Sequence, residues 1–381
     1  MTTTIKAILT ILLFLNIFFI ILFTQESIYQ PAKNLFRDII YSNKIHTSHL
    51  REISIYDNNV TISGLPFSSE TNGLKRLPKK IKKDLRPALW KLASSPSGGR
   101  VRFKTNSKNI VLFAKTSSST SHHMTSIMQN GIDIYIDNTY SGSAWPNPNG
   151  TIRKEFALKD NNSSLKNITL YLPLYSTIEI QKLYVEKDAI VKKADDLLHI
   201  APIIYYGSSI TQGASASNPG LSYPAIVSRN IQIDFINFGF SGNGLGDIEI
   251  AEIITSLDTS LIILDYWANP TSVQYKKSLS KFVAKIREKK ANIPILIITP
   301  FYSIGLEKQQ KEKKQIIHDF IAQRKKYGDH NIYLIEGTKM LSEEQSSGLI
   351  DGIHLNSLGF WFAAHALKPK IMEILKTTHF N

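Results

Sequence analysis

The second half of the chain alternates short, mostly apolar runs with helical patterns, and this alternation limits the possible folds more than any other feature of the sequence. The apolar runs lie at 203–206, 233–238, 261–264, 295–298 and 332–335. The helical patterns lie near 222–230, 247–256, 272–289, 306–327 and 358–376. Strands that are apolar throughout are buried on both faces, and intervening helices cover those faces in a parallel sheet. The pattern therefore predicts an α/β domain over 196–381, built on a doubly wound parallel sheet of five strands.

Residues 50–195 have a different pattern, in which apolar and polar residues alternate over short spans. Such spans at 109–113, 132–136 and 177–181 are bounded by Gly, Pro, Asn and Ser. Alternation of period two buries one face of a strand, and frequent turn residues are typical of antiparallel sheets. The sequence therefore predicts an antiparallel β-sandwich of jelly-roll-like form as an accessory domain, interrupted by a short helix near 87–93.

The first residues of the chain bear on its location. Residues 7–23 are apolar and uncharged, and Lys6 precedes them. A run of this length lies between the core of a signal peptide and a short membrane span. No small-x-small cleavage site follows it, which favours an uncleaved anchor. We predict a signal peptide or membrane anchor over 1–25 and a linker over 26–49, with the other domains outside the cytoplasm, in the periplasm or the extracellular space.

The formal net charge is +14, and the stretch from Lys75 to Arg86 contributes +6 of it through seven basic residues and one acid. We interpret this stretch as a solvated surface segment that leads into a helix. The alternative is a surface for anionic lipid head groups or acidic glycans. No nucleic-acid-binding module accompanies the stretch, so no nucleic-acid partner is predicted. The chain has no cysteine, which excludes disulfides and thiolate chemistry.

Small and polar residues follow four of the five predicted parallel strands. Ser209 follows the first strand in Gly-Ser-Ser-Ile-Thr, and Gly242 follows the second in Gly-Phe-Ser-Gly-Asn. Asn269 follows the third strand, whereas Asp351 and His354 follow the fifth, directly before the last helix. Ligands of doubly wound sheets bind at the carboxyl ends of the strands, so we expect these side chains to share one site.

These residue types suit nucleophilic catalysis. A serine is a weak nucleophile until a neighbouring imidazole accepts its proton, and that imidazole needs an acceptor on its other nitrogen. Because Asp351 precedes His354 by three positions in a turn opened by Gly352, one loop is able to supply both partners. Glycine at 242 permits close approach of its backbone N–H to a developing oxyanion.

The order of these four motifs resembles the SGNH (GDSL-like) hydrolase superfamily over residues 200–378. Gly131-Ile132-Asp133-Ile134-Tyr135 resembles the Gly-x-Asp-Leu-Tyr motif of a β-domain that precedes the hydrolase in one bacterial branch. The resemblance implies a flavodoxin-like SGNH domain in which Ser209 is the nucleophile, His354 the general base and acid, and Asp351 its orienting partner.

The resemblance also implies an oxyanion hole made by the N–H groups of Ser209 and Gly242 and the side-chain amide of Asn269. Two positions depart from the family pattern. Ser208 stands where the wider superfamily usually has Asp, and the Asn269 block lacks the common Gly-x-Asn-Asp form. We expect Asp133 to support the β-domain or its packing on the hydrolase.

A pair of adjacent histidines and one loop tryptophan also bear on binding. His122 and His123 are adjacent, and neighbours on a strand point to opposite faces, so no metal site is predicted. Trp145 lies in a loop where it either packs against that loop, which we favour, or stacks on a sugar.

We therefore predict a serine esterase without cofactor that forms an acyl-enzyme on Ser209. The expected substrate is a glycan or small-molecule ester, in particular a short O-acyl (acetyl) group on carbohydrate. One alternative is a lipase, lysophospholipase or thioesterase acting at membranes. The other is a non-catalytic glycan-binding protein that retains the hydrolase fold.

Overall fold

The computed structural model describes residues 47–379, with the exception of 72, 118, 159–163 and 196. The predicted segment 1–25 and most of the predicted linker 26–49 lie outside the described residues. In the part of the chain that is described, no helix combines the length and the apolar character that crossing a membrane requires. All the sheets described below belong to one compact unit, Leu50–Asn381.

The residues from 50 to 195, here called the β half, form two antiparallel sheets. Its strands are β1 (Leu50–Ile53), β2 (Thr61–Ser63), β3 (Arg100–Thr105), β4 (Asn109–Thr116), β5 (Ile132–Ile136), β6 (Thr139–Ala144), β7 (Thr151–Ala157), β8 (Lys166–Tyr171), β9 (Ile178–Glu186) and β10 (Val191–Lys192). One sheet has the order β1-β9-β4-β7, and the other has the order β10-β3-β8-β5-β6, with β2 paired to β3. The structure therefore confirms the antiparallel sheets that the sequence predicts N-terminal to the α/β domain.

A single apolar cluster lies between these two sheets. Val101 and Phe103 enter it from β3, and Ile110 and Leu112 enter it from β4 in the other sheet. In each strand the two residues are two positions apart, as expected when one face of a pleated strand is buried. Burial of such side chains stabilises the folded state by roughly 1.5–3 kcal/mol each, which explains why the alternating pattern indicated the sheets.

Three short helices interrupt the β half: α1 (Ser68–Thr71), α2 (Pro87–Ala93) and α3 (Ser126–Asn130). Helix α2 covers the predicted range and has proline at its first position, where the missing N–H costs no hydrogen bond. The Thr125 side chain caps α3 by accepting a hydrogen bond from the Met128 N–H.

The residues from 196 to 381, here called the α/β half, contain the predicted parallel sheet. Its strands are β11 (Ile203–Gly207), β12 (Phe235–Gly239), β13 (Leu261–Asp265), β14 (Ile295–Ile298) and β15 (Ile332–Ile335). Its helices are α4 (Ser209–Gln212), α5 (Tyr223–Ile231), α6 (Ile248–Thr255), α7 (Ser272–Lys289), α8 (Glu307–Lys326) and α9 (Ser357–His379). The five strands are parallel in the order β12-β11-β13-β14-β15. This is the doubly wound sheet that the sequence predicts.

The strand order fixes the place of a binding site. The chain moves from β11 to β12 on one side and then returns to β13 on the other side of β11. Such a reversal opens a crevice at the carboxyl ends of the adjacent strands. Gly207, Gly239 and Asp265 end these three strands in register with one another, so the segments that follow them start side by side.

Candidate active site

Ser209 is the first residue of α4, directly after β11. The Ser208 hydroxyl caps this short helix by accepting a hydrogen bond from the Ile210 N–H at 3.2 Å. Gly207 allows the tight turn, because a Cβ atom there would lie 1.9 Å from Thr211 Oγ1 and 2.7 Å from the Asp265 carbonyl oxygen. The turn presents the Ser209 hydroxyl with its Oγ atom 2.8 Å from His354 Nε2.

The other ring nitrogen of His354 faces Asp351. The Nδ1 atom lies 2.7 Å from Asp351 Oδ2, and Asp351 Oδ1 accepts the backbone N–H groups of His354 at 2.7 Å and Ile353 at 3.0 Å. Gly352 has φ +84°, a left-handed conformation that lets the loop fold back. Partial burial acts to raise the pKa of Asp351, but the hydrogen bonds from His354 and Ile353 outweigh it and hold the pKa below its usual value. Asp351 therefore stays ionised opposite the imidazole.

Gly242 and Asn269 lie on the loops after β12 and β13. Gly242 has φ +66°, and a Cβ atom there would meet nothing within 4 Å, so its backbone conformation, not crowding, favours glycine. The Asn269 Oδ1 atom accepts the Gly244 N–H at 3.1 Å, which leaves the Nδ2 group as the donor of that amide. Gln212 Oε1 accepts the Ser241 N–H at 2.9 Å and ties the same loop to α4.

Arg86 holds this loop, residues 240–247, from the β half. Its Nε donates to Asp247 Oδ1 at 2.7 Å, and its Nη1 donates to Asn243 Oδ1 at 2.7 Å. Its Nη2 donates to the Asn243 carbonyl at 2.9 Å and to Asp247 Oδ2 at 3.0 Å. The hydrogen bond with Asp247 is the main cause of a raised pKa for Arg86. The guanidinium thus fixes the residues on either side of Gly244, whose N–H orients Asn269.

Arg76 is fully buried and binds the end of β12. Its Nη1 donates to the carbonyl oxygens of Asn237 and Gly239, its Nη2 donates to Leu92 at 2.7 Å, and its Nε donates to Ser95 at 2.9 Å. The interpretation of the basic stretch as a solvated segment is therefore wrong for Arg76, whereas Arg86 is half-exposed and binds the α/β half at the same time. It holds for the lysines, which are all exposed: Lys75, Lys79, Lys80, Lys82 and Lys83. Carbonyl and amide partners for the arginines lie some 160 positions away, where no local pattern points to them.

Asp133 also joins the two halves. Its carboxylate accepts hydrogen bonds from Ser143 Oγ at 2.6 Å, the Gly220 N–H at 2.9 Å and Asn218 Nδ2 at 3.2 Å. A Cβ atom at Gly220 would lie 2.6 Å from the Tyr135 ring. The Asp and Tyr of the motif at 131–135 therefore pack on the loop 218–220 of the α/β half, in agreement with the packing role expected for Asp133.

Asp265 lies beneath the nucleophile turn. It is fully buried, and its Oδ2 atom accepts hydrogen bonds from the Tyr223 hydroxyl at 2.9 Å and from Thr211 Oγ1 at 3.0 Å. Burial raises the pKa of Asp265 to about 7, although these hydrogen bonds oppose the rise. The available sequence signal for Asp265 was a carboxyl group directly after the apolar run 261–264.

His123 of the β half lies against the His354 imidazole. Its ring centroid is 5.2 Å from that of His354, at an interplanar angle of 30°. His122 and His123 occupy a turn, so the argument from a strand that predicted no metal site does not apply here. Instead the turn exposes His122 and places His123 beside His354 and Asp351. Trp145 is exposed, with the Lys154 ammonium 5.8 Å from its ring.

A serine hydroxyl, an imidazole and a carboxylate that contact one another in this order at the edge of a parallel sheet define a serine hydrolase of the α/β class. Residues 201–372 match the GDSL-like lipase/acylhydrolase family, and residues 53–191 match the N-terminal domain of SGNH-hydrolase-type esterases. The chain belongs to the SGNH (GDSL-like) hydrolases that carry this N-terminal domain, and it is a serine ester hydrolase.

Solved structures resemble this chain over most of its length. A putative GDSL-like lipase from Bacteroides ovatus is 29% identical with a TM-score of 0.78, over 86% of this chain and 98% of that one. A salicylyl-acyltransferase from a tetracycline biosynthetic pathway is 18% identical with a TM-score of 0.76, over 86% and 98%. An acetyl xylan esterase from the rumen bacterium Butyrivibrio proteoclasticus is 14% identical with a TM-score of 0.59, over 87% and 99%. No curated protein matches the chain in sequence.

Proposed function

We propose that this protein removes short O-acyl groups, in particular acetyl, from carbohydrate through an acyl-enzyme on Ser209. The observation that carries the proposal is the continuous contact from Ser209 Oγ to His354 Nε2 at 2.8 Å and from His354 Nδ1 to Asp351 at 2.7 Å. The fold shared with an acetyl xylan esterase supports the choice of substrate. A site outside the cytoplasm, as predicted from residues 1–25, suits a glycan substrate.

The reaction follows from the geometry. Ser209 Oγ attacks the ester carbonyl while His354 Nε2 takes the hydroxyl proton. The oxyanion of the tetrahedral intermediate accepts hydrogen bonds from the N–H groups of Ser209 and Gly242 and from the Asn269 amide. The C–O bond to the alcohol then breaks, and His354 returns the proton to the leaving alcohol. A water molecule, deprotonated by His354 Nε2, attacks the acyl-enzyme. The C–O bond to Ser209 Oγ then breaks, His354 returns the proton to that oxygen, and the acid leaves.

The solvent-open arrangement of the site fits an ester substrate whose alcohol part is large. The side chains of His354 and Asp351 are 21% and 34% exposed, so the face from which the leaving group departs opens to solvent. A sugar chain is therefore able to approach without entering an enclosed cavity. The assembled Ser209–His354–Asp351 contacts remove the reason for considering a non-catalytic binding protein.

One observation favours the second candidate, a lipase or lysophospholipase at membranes. Exposed apolar side chains flank the loop that carries His354, namely Ile304, Ile350, Leu358 and Trp361. Ile304 donates its N–H to the Gly352 carbonyl at 2.8 Å, and Ile350 donates its N–H to the His354 carbonyl at 3.0 Å. An apolar rim at this place would suit a long acyl chain.

Hydrolysis of p-nitrophenyl esters of graded acyl length separates the two candidates. We expect the acetyl ester to be hydrolysed fastest and acetate to be released from acetylated xylan. Ser209→Ala should lower kcat by about 10⁴-fold or more, whereas Ser280→Ala, an exposed serine on α7, should leave kcat unchanged. A rate that rises with acyl length would favour the lipase, and activity retained in Ser209→Ala would refute the proposed nucleophile.

A further inference from the structure

We infer that His123, Asp351 and His354 form a binding site for a zinc-like transition-metal ion, and that the bound ion reversibly blocks ester hydrolysis. The blocking effect rests on the function proposed above, whereas the metal site does not. His123 comes from the β half and the other two residues come from the α/β half, so the ion would bridge the two halves at the reaction centre.

The ligand atoms are already close together. Each of the three residues offers one nitrogen or carboxylate oxygen, and these atoms lie within 4.8 Å of one another. Ligands about 2.0–2.2 Å from a tetrahedral zinc ion lie roughly 3.4 Å from each other, so side-chain shifts of about 1 Å complete the geometry. The nearly facing rings of His123 and His354, 5.2 Å apart, approach the proposed ion from neighbouring directions.

His123 is free to act as a ligand. Among the described residues, its Nε2 atom is enclosed and has no hydrogen-bonding partner. An enclosed polar atom without a partner costs roughly 1–3 kcal/mol, which a metal bond would recover. His122 differs, since its side chain points into solvent.

The turn that carries His123 is held at both ends. Thr125 Oγ1 donates to the Ser217 carbonyl of the α/β half at 2.6 Å. On the other side, the Ser119 N–H donates to Asn130 Oδ1 at 2.9 Å. These contacts fix His123 against His354 before any ion arrives, which lowers the entropic cost of assembling the site.

Metal binding conflicts with catalysis because His354 uses both ring nitrogens. Its Nδ1 faces Asp351 and its Nε2 faces Ser209. An ion on Nδ1 replaces the proton shared with Asp351, and an ion on Nε2 removes the acceptor for the Ser209 proton. Two imidazoles and one carboxylate favour Zn²⁺ or Cu²⁺ over Ca²⁺ and Mg²⁺, which prefer oxygen ligands.

The test titrates Zn²⁺ into the full chain by calorimetry and measures p-nitrophenyl acetate hydrolysis over the same zinc concentrations. His123→Ala should raise both the zinc Kd and the inhibitory concentration by at least about tenfold, with inhibition expressed relative to each variant's own zinc-free rate. His122→Ala, the matched control, should behave like the parent. A chelator should restore activity, and Ca²⁺ or Mg²⁺ should not inhibit.

Several outcomes would overturn the inference. Equal zinc binding and inhibition in His123→Ala and the parent would place the ion elsewhere, and binding at His123 without inhibition would reject the blocking effect. The variant Ser209→Ala keeps all three ligands and should still bind zinc. Zinc binding in an otherwise inactive parent would therefore support the metal site while rejecting the proposed esterase, so the two failures are distinguishable.

Discussion

The two halves of the molecule contribute to the site in different ways. The α/β half supplies the groups proposed to react, because Ser209, Asp351 and His354 all follow its parallel strands. The β half supplies His123, which borders His354, and three side chains that hold neighbouring segments of the α/β half, namely Arg76, Arg86 and Asp133. The β half is thus part of the active-site wall, in addition to being a separate sandwich with its own apolar core.

The two halves also differ in how they support two parts of the proposed catalytic machinery. The Ser209 turn rests on Asp265 and Tyr223 of its own half through Thr211. The loop 240–247, which carries Gly242, is tied to α4 by Gln212 and is also held by Arg86 from the β half. Loss of the Arg86 contacts should therefore weaken the proposed oxyanion stabilisation more than it weakens the proposed nucleophile and its base.

Replacing Arg86 is the strongest way to test that difference. Arg86→Ala removes the guanidinium that binds both Asn243 and Asp247. We expect kcat to fall by about 10- to 100-fold with KM nearly unchanged, since the loosened donors act mainly in the transition state. Arg86→Lys should recover only part of kcat, because an ammonium cannot make the forked contacts. Steady-state kinetics on p-nitrophenyl acetate measures both constants.

The matched control for Arg86 is Lys83→Ala, an exposed lysine of the same basic stretch, which should leave kcat unchanged. A rise in KM at constant kcat in Arg86→Ala would contradict the positioning role. So would full recovery by lysine, since a simple positive charge would then suffice.

The sequence was most informative where burial or chemistry is local. The parallel strands are buried throughout β11, β12 and β13, so apolar runs marked them within a few residues of their observed bounds. Asp351 and His354 are three positions apart, and their spacing predicted the contact that the structure shows. Helix and strand positions follow from short-range patterns of this kind.

The contacts between the two halves have no comparable short-range pattern in the sequence. Arg86 meets Asn243 across 157 positions, and the lysines at 82 and 83 of the same stretch remain in solvent. His123 lies in a turn whose sequence gives no sign of His354. Arginine forms forked hydrogen bonds and lysine does not, so the two arginines in a lysine-rich stretch were the one available hint of contacts with the α/β half.

Asp133→Asn tests whether the β half is firmly docked. Asparagine replaces one acceptor oxygen of the carboxylate with an NH2 group, which is a donor. This donor would face either the Gly220 N–H or the donors of Ser143 and Asn218, so at least one hydrogen bond would be lost. We expect the free energy of unfolding to fall by about 2 kcal/mol, within the range for disrupted buried hydrogen bonds. Urea denaturation measures the change. Asp188→Asn, at an exposed position, serves as the control, and equal loss in both variants would show that Asp133 has no special docking role.

Asp265→Asn tests the support of the nucleophile turn within the α/β half. Burial raises the pKa of Asp265 to about 7 in the folded protein, against roughly 3.9 in an unfolded chain. Between these values the folded state binds more protons than the unfolded state, so this group's contribution to stability decreases as pH rises from about 4 to about 7. The slope is at most about 1.4 kcal/mol per pH unit.

The Asp265→Asn variant lacks this proton. From pH 5.5 to 6.5 the parent should therefore lose about 1 kcal/mol more unfolding free energy than the variant, which urea denaturation at the two pH values measures. Parallel changes in the two proteins would mean that Asp265 ionises normally when folded. In that case the hydrogen bonds from Thr211 and Tyr223 would hold a carboxylate, and the turn under Ser209 would carry a buried negative charge at neutral pH. Both halves would then use a charged carboxylate to support the site: Asp265 in the α/β half, and Asp247 in its contact with Arg86 of the β half. The two halves would differ only in which groups they place at the reaction centre.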